Sequence, residues 1–417
     1  MLSSSAETVV NIEELLRQIL ERVPALSLIT FKCVSKHWLS LISDPEFRRC
    51  HTLRNHNPKI SSFFPTKIKD ENLLKSPFKT LNSAVSDGSN IGILQSCNGL
   101  FLCYALSGEQ TKHHVYVVNP STNQFRGLSS PSVSQDKHTF VRYALAFDPS
   151  KSPHYKVVCV FNHPMYSKEE QLKTDVYSSE TGEWKHLETP FFHGQSYNFN
   201  WKSRLGAIYC NGALHWIRKK RKDFHFSYDR KEFTRHETDV LHYFEVSQER
   251  MLVVSATTPV PSVVKNIPVG SGYWQPTMWP ILAQRYFGEC GGRLYLIETY
   301  EHCLTQFDVM EMERDYSGWF VKYNVDLNPL AAALPGQDWD PLIVLCLSQE
   351  EETYNTGFED SSVALLLHLP GKVKSYNLRN KTIRTYVELV NKELGLDYHN
   401  RILEDVAFPC METLASV

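Results

Sequence analysis

Between residues 115 and 383 one short pattern recurs five times: an aromatic residue in an apolar run, a polar turn, and a further apolar residue. It reads VYVVNPSTNQF from 115, DVYSSETGEW from 175, HYFEVSQERM from 242, TQFDVMEMERDYSGW from 305 and KSYNLRNKTI from 374. With Tyr116, Tyr177, Phe244, Phe307 and Tyr376 as markers, the spacings are 61, 67, 63 and 69 residues. A near-constant period of strand–turn–strand units is the signature of radial β repetition. A second recurrence supports it: Asn98-Gly99, Asn211-Gly212 and Gly291-Gly292 each precede an apolar run. Tight hairpins demand positive φ, which Asn and Gly supply. Residues 91–400 are therefore expected to form an all-β, β-propeller-like domain. Five outer hairpins are visible, with room for a sixth blade closed by the lead-in and the tail, since circular closure protects edge strands.

Residues 11–54 follow a different period. Asn11 followed by Glu14 reads as a helix start, and Ile12, Leu15, Leu16, Ile19, Leu20 and Val23 recur at helical spacing. Pro24 disfavours helix at Val23, so the chain should turn there. Two more apolar helical runs follow, around Leu28–Val34 and Trp38–Ile42, and Asp44-Pro45 can open a fourth helix. A helical set of about 45 residues is close to the size at which a core cannot stabilise itself. Either these helices cap the large domain, or some of their apolar surface serves a partner.

The residues of this stretch resemble the plant-type F-box: Val23-Pro24, Ser27-Leu28, Phe31-Lys32-Cys33-Val34-Ser35-Lys36, Trp38, Leu41-Ile42, Pro45 and Phe47 match without a gap. Val10-Asn11 stands where a Leu-Pro pair often begins the motif, and Val23 replaces the usual Leu. The resemblance implies docking to a Skp1-type adaptor and, through it, to cullin-1 and a RING protein in a ubiquitin ligase. Leu15, Leu16, Ile19, Leu20, Pro24, Leu28, Cys33, Val34 and Trp38 would meet the adaptor, while Phe31, Leu41 and Ile42 would hold the small domain together. The β units resemble the plant F-box-associated, or F-box/kelch-type, interaction domain through Ser96-Cys97-Asn98-Gly99-Leu100, Asn119-Pro120-Ser121-Thr122, Ala146-Phe147-Asp148-Pro149, Tyr155-Lys156-Val157-Val158, Val176-Tyr177-Ser178, Gly182, Trp184 and Asn211–Trp216. The likeness is clear to about residue 250 and weaker beyond. A true kelch consensus is poor, because only one Gly-Gly pair falls in register. Together the two resemblances imply a small all-α F-box followed by a kelch-type propeller that captures a target protein. A propeller scaffold outside any ligase, or a propeller enzyme, are the alternatives.

The expected organisation is a flexible start at 1–10, the helical domain at 11–54, a Pro-broken connector at 55–90 with a short strand near Ser62–Phe64, the β domain at 91–400 and a tail at 401–417. Lys plus Arg is 44 and Asp plus Glu is 46, so no global field favours nucleic acid or an anionic membrane. Residues 1–10 do not read as a signal peptide, and no apolar run reaches membrane-spanning length. Ten cysteines without CxxC pairs fit a reducing compartment, cytoplasmic and/or nuclear.

In a four-stranded meander the first and third turns share one face. The short Gly and polar turns occupy it, which sends the long connections (105–114, 128–140, 162–173, 188–204, 218–238 and 256–282) to the other. Loops on a rigid scaffold are where binding resides. Phe192, Tyr197 and Trp201 in one connection, with Tyr273, Trp274 and Trp279 in another, are the candidate target-binding residues; their alternative is to fold inward over the channel. Arg218, Lys219, Lys220, Arg221 and Lys222 read as an import signal, a patch for an acidic partner, or a solvated loop. No nucleophile elbow, P-loop, dinucleotide fingerprint or zinc spacing occurs, so no catalytic residue, metal or cofactor is expected. His215 reads as a core or edge residue rather than a ligand.

Overall fold

The computed structural model describes residues 13–55, 60–64, 67–68, 78–85, 90–106, 113–129, 131, 140–162, 172–187, 207–217, 224–235, 239–268, 279–333, 342–350, 362–369, 372–388 and 407–417. They belong to two compact units: Met1–Ser196 with Phe408–Val417, and Tyr197–Ala407.

The first unit opens with four helices, α1 (Glu13–Leu20), α2 (Ala25–Phe31), α3 (Lys36–Ser43) and α4 (Pro45–Arg54). Their boundaries have local causes. Pro24 precedes α2 in extended conformation, the Ser35 hydroxyl accepts from the Trp38 amide at the start of α3, and Asp44 accepts from the Phe47 amide ahead of Pro45. Next come β1 (Ile60–Phe64), β2 (Lys67–Ile68) and α5 (Lys79–Ala84). The first large sheet joins β2 to β3 (Asn90–Cys97), β4 (Leu100–Leu106), β5 (His113–Asn119) and β6 (Gln124–Gly127) in sequential order. The second is the meander β7 (Phe140–Ala146), β8 (Lys156–Asn162), β9 (Leu172–Ser178) and β10 (Glu183–Leu187).

The second unit holds three more antiparallel sheets. One contains β11 (Ile208–Cys210), β12 (Ala213–Ile217), β15 (Asp239–Glu245) and β16 (Arg250–Ala256), with the hairpin β13 (Phe224–Ser227) and β14 (Glu232–Arg235) inserted between its second and third strands. After α6 (Ser262–Lys265) follows the meander β17 (Leu282–Cys290), β18 (Arg293–Tyr300), β19 (Gln306–Met312) and β20 (Trp319–Asp326). After α7 (Asn328–Ala333) comes β21 (Ile343–Glu350), β22 (Ser362–Leu369), β23 (Lys372–Asn377) and β24 (Ile383–Glu388).

The five markers occupy the last strand but one of the five large sheets, so the repeat is five-fold among the described residues. Tyr177, Phe244, Phe307 and Tyr376 are buried there. The Asn-Gly and Gly-Gly turns take the left-handed backbone they were expected to take: φ is 46° at Asn98 and 87° at Gly99, and 60° and 72° at Gly291 and Gly292. A device invisible in the pattern links neighbouring sheets within each unit. The Gln95 amide of β3 donates to the Leu145 carbonyl at 2.9 Å and accepts from the Leu145 amide at 2.8 Å. Gln284 of β17 does the same with Val344 of β21, at 2.9 Å in both directions. Each glutamine lies beside a register shift in its own strand and acts as a substitute peptide group for the next sheet.

The short strand expected near Ser62–Phe64 is present as β1, but the connector and the tail hold more structure than the sequence led us to expect. Residues 60–84 supply two strands and a helix, and β25 (Phe408–Met411) pairs antiparallel with β1, from Ile60 opposite Met411 to Phe64 opposite Phe408. Phe64, Phe78, Leu81, Phe101 and Cys410 then share one core. The lead-in and tail thus form a two-stranded sheet rather than a sixth four-stranded blade. Connection 218–238 is likewise not all loop: Phe224, Phe226 and Phe233 of its hairpin pack against Val263, Val264 and Ile267 around α6.

Candidate functional site

Helix α1 carries two apolar stripes. Leu16 and Leu20 lie one turn apart on one side and are 3% and 1% exposed. Leu15 and Ile19 occupy the other side, 41% and 49% exposed. The inner stripe joins Ala25, Leu28, Leu41, Ile42 and Phe47 in the core of the helical module, with Val23, Ile29, Phe31 and Trp38 packed against it. Phe31 and Trp38 meet edge to face at 5.6 Å. Polar groups fasten the same module. His51 Nε2 donates to the Val23 carbonyl at 2.8 Å, the Asn55 amide donates to the carbonyls of Glu21 and His51, and Arg54 pairs with the buried Glu21 at 3.2 Å. Burial lowers the His51 pKa, so the neutral ring is the form this contact keeps.

This packing corrects the expected adaptor surface. Leu16, Leu20 and Leu28 face inward and hold the helices together, because a module this small needs every other apolar stripe for its own core. Leu15, Ile19, Pro24, Cys33 and Val34 are exposed and Trp38 is half-buried. Leu26 and Leu39, which the reading of the sequence did not assign to the adaptor surface, are also outward, at 45% and 47% exposed; the opposite helical phase to Leu28 and Leu41 would have found them. Asn11 lies outside the described residues.

Of the expected target-binding residues, Phe192, Tyr197, Trp201, Tyr273 and Trp274, and the whole run Arg218 to Lys222, lie outside the described residues. Trp279 is described. It is 52% exposed, and its ring meets Phe233 of β14 edge to face at 5.3 Å. Tyr228, in the turn of the same hairpin, is also 52% exposed, and its ring stands edge-on to Phe226 at 5.4 Å. The inserted hairpin thus presents aromatic residues outward on a packed aromatic base. The alternation of Phe224 and Phe226 was its signal in the sequence.

His215 is fully buried, as a core residue should be. Its ring lies near-parallel to Tyr243 and Tyr316, and its Nε2 and the Tyr316 hydroxyl are 2.9 Å apart. Burial drives its pKa down to about 4. Tyr316, held at φ 60°, lines a cavity of about 400 Å³ together with Cys210, Asn211, Gly292, Arg293, Leu294 and Met312. Among the described residues no group of three or more His, Cys, Asp or Glu side chains is arranged to hold a metal ion.

Comparison with known proteins places these features in a family. Residues 13–50 match the F-box domain, and residues 55–265 match the F-box associated beta propeller domain. The F-box protein At5g07610 of Arabidopsis thaliana is 30% identical over 410 residues, which covers 92% of this chain and 86% of that protein. The F-box/kelch-repeat protein At3g23880, also of Arabidopsis thaliana, is 29% identical over 222 residues, covering 49% of this chain and 57% of the other. Among solved structures, that of the SapL1 lectin with alpha methyl fucoside aligns with 73% of this chain and 81% of its own at 9% identity. Its TM-score of 0.34 is too low to carry an argument about fold or ligand. With the outward apolar helical module inside the first match and the opening β repeats inside the second, the chain belongs to the F-box proteins that carry an F-box-associated β-propeller domain.

Proposed function

We propose that this protein is the substrate-recognition subunit of a Skp1–cullin–F-box ubiquitin ligase. The observation that carries the reading is the second apolar stripe: within the F-box match, Leu15, Ile19, Leu26, Val34 and Leu39 face solvent although the module's own core is complete without them. Burying an apolar side chain contributes about 1.5–3 kcal/mol when complete, so covering five half-exposed ones supports specific docking. A Skp1-type adaptor is the partner, and cullin-1 and a RING protein follow through it. A target protein is held by the β domain, and the protein has no chemistry of its own to perform: ubiquitin comes from an enzyme bound elsewhere in the assembly. The exposed aromatics Tyr228 and Trp279 are the described candidates for target capture. The place of action is the cytoplasm, the nucleus or both.

The test is a pull-down with a recombinant Skp1-type adaptor. Ile19→Asp combined with Val34→Asp is expected to abolish capture while circular dichroism and melting stay those of the parent protein. Undiminished capture sinks the reading and leaves a propeller scaffold outside a ligase.

A further inference from the structure

We infer that residues 408–417 form a clasp that holds the helical module in one orientation on the first sheet, and so fixes the direction in which an adaptor docked on the module points relative to that sheet. The inference rests on the ligase reading for its purpose but on the structure of the first unit for its geometry.

Beyond β25, successive residues of the tail meet different bodies. The even-numbered residues meet the helices. Glu412 Oε2 accepts from the Leu26 amide at 3.2 Å, Leu414 is 3% exposed inside the helical core, and the Ser416 hydroxyl accepts from the Arg48 guanidinium. The odd-numbered residues meet the sheet. The Thr413 amide donates to the Ser121 hydroxyl at 3.1 Å, and the Asn119 side-chain amide donates to the carbonyls of Ala415 at 2.7 Å and Thr413 at 3.3 Å. Asn119 is fully buried, and its carbonyl oxygen is occupied too, accepting from the amides of Ser121 and Thr122.

The same strand also sits against the Asn98-Gly99 turn. A Cβ at Gly99 would come within 2.6 Å of Thr413 Cγ2 and 2.8 Å of the Met411 carbonyl oxygen, so a side chain there would lift the segment away. Gly99 lies in the turn from β3 to β4, and Asn119 and Ser121 lie at the turn from β5 to β6. These are the same end of the sheet, opposite the end from which the β4–β5 connection leaves. A segment that contributes one side chain to a helical core and two carbonyls to a buried asparagine of a sheet couples the two bodies. Without such a tie, motion between bodies joined by a chain segment is the default. Ubiquitin transfer by proximity depends on a maintained span between docked partners, because effective concentration falls when that span varies. Asn119 and Gly99 are thereby positioning residues.

The experiment uses the full chain with Cys33→Ser, Cys50→Ser and Cys303→Ser, spin-labelled at Lys36→Cys and Glu180→Cys, two exposed positions on the helical module and on the second sheet of the same unit. Pulsed electron double resonance reads their distance distribution. A single narrow distribution is expected in the parent. In Asn119→Ala with Ser121→Ala, and separately in the milder Glu412→Ala with Ser416→Ala, the width is expected to grow roughly twofold, while adaptor capture persists in the same variants made without the label or the cysteine replacements. An unchanged width in both variants overturns the clasp whatever the adaptor does. Failure of the chain with Cys33 and Lys36 in place to capture the adaptor, with the widths as expected, instead counts against the ligase reading and leaves the clasp standing.

Discussion

The helical module and the sheets handle apolar surface in opposite ways. In the sheets, markers such as Phe244 and Phe307 and their neighbours are consumed internally: Leu214, Phe244, Leu296, Phe307 and Leu365 are 0–1% exposed. In the module, Leu15, Ile19, Leu26, Val34, Leu39 and Leu53 all remain at least 41% exposed, whereas the exposed large apolar residues of the β part, among those described, are Tyr228, Trp279, Ile281 and Val321. A repeated sheet finds its partner in the next sheet of the same chain. The helices take Leu414 of the tail into their core, but the outward side chains stay exposed, so that surplus is available to another protein.

The sharpest way to break this contrast is to mutate neighbours on α1. Leu20→Asp puts a carboxylate into the module's core and is expected to cost at least ~4 kcal/mol, melting the helices. Ile19→Asp is expected to leave the melting curve in place and remove adaptor capture. If both variants melt alike, the two-stripe description of α1 is wrong. A comparable loss is expected in the sheets from Gln95→Leu or Gln284→Leu. Each leaves one buried peptide N–H and one C=O of the next sheet unpaired, at about 2–5 kcal/mol, read by chemical denaturation of the unit concerned.

Acid sharpens the comparison further. His215 and His368 are both held down at about 4 by burial in the second unit. A histidine whose folded pKa is depressed gives full stability above its unfolded value near 6.5 and loses it as pH falls toward the folded value. Melting of the second unit is therefore expected to weaken progressively between about pH 6.5 and 4, with about 3 kcal/mol traceable to His215. His215→Phe, which cannot titrate, is expected to flatten that slope. His51 adds the same sign in the helical module. The smallest effect belongs to Arg49→Ala. Its ion pair with Glu46 at 2.6 Å is fully solvated, and melting is expected to stay within experimental scatter.

How far the sequence was legible follows from how far each signal reaches along the chain. The five hairpins and their turns are local: strand, positive-φ turn and strand lie within about 15 residues, and the pattern writes them directly. The hairpin at 224–235 carried the same signal in three phenylalanines but sat inside a polar, basic stretch that masked it. Periodicity showed α1 to be apolar on Leu15, Leu16, Ile19 and Leu20 together. It could not say which pair turned inward, because that depends on where α2 to α4 cross it.

Alone, the sequence determined the class of each half, the five recurring hairpins and the identity of the helical motif, since all three rest on spacing and on turn chemistry between near neighbours; whether a sixth blade follows was left to the tertiary structure. Tertiary structure alone decided that Leu16, Leu20 and Leu28 belong to the core while Leu15, Ile19 and Val34 face outward. It also decided that Gln95 and Gln284 bridge sheets 50 and 60 residues apart in the chain. The pairing of residues 60–64 with 408–411, and the reach of Leu414 into the helical core, were decided there too. A β ladder between segments some 350 residues apart has no local signature. Its partners are chosen by what the intervening chain brings to the same place, and no periodicity in either segment records it.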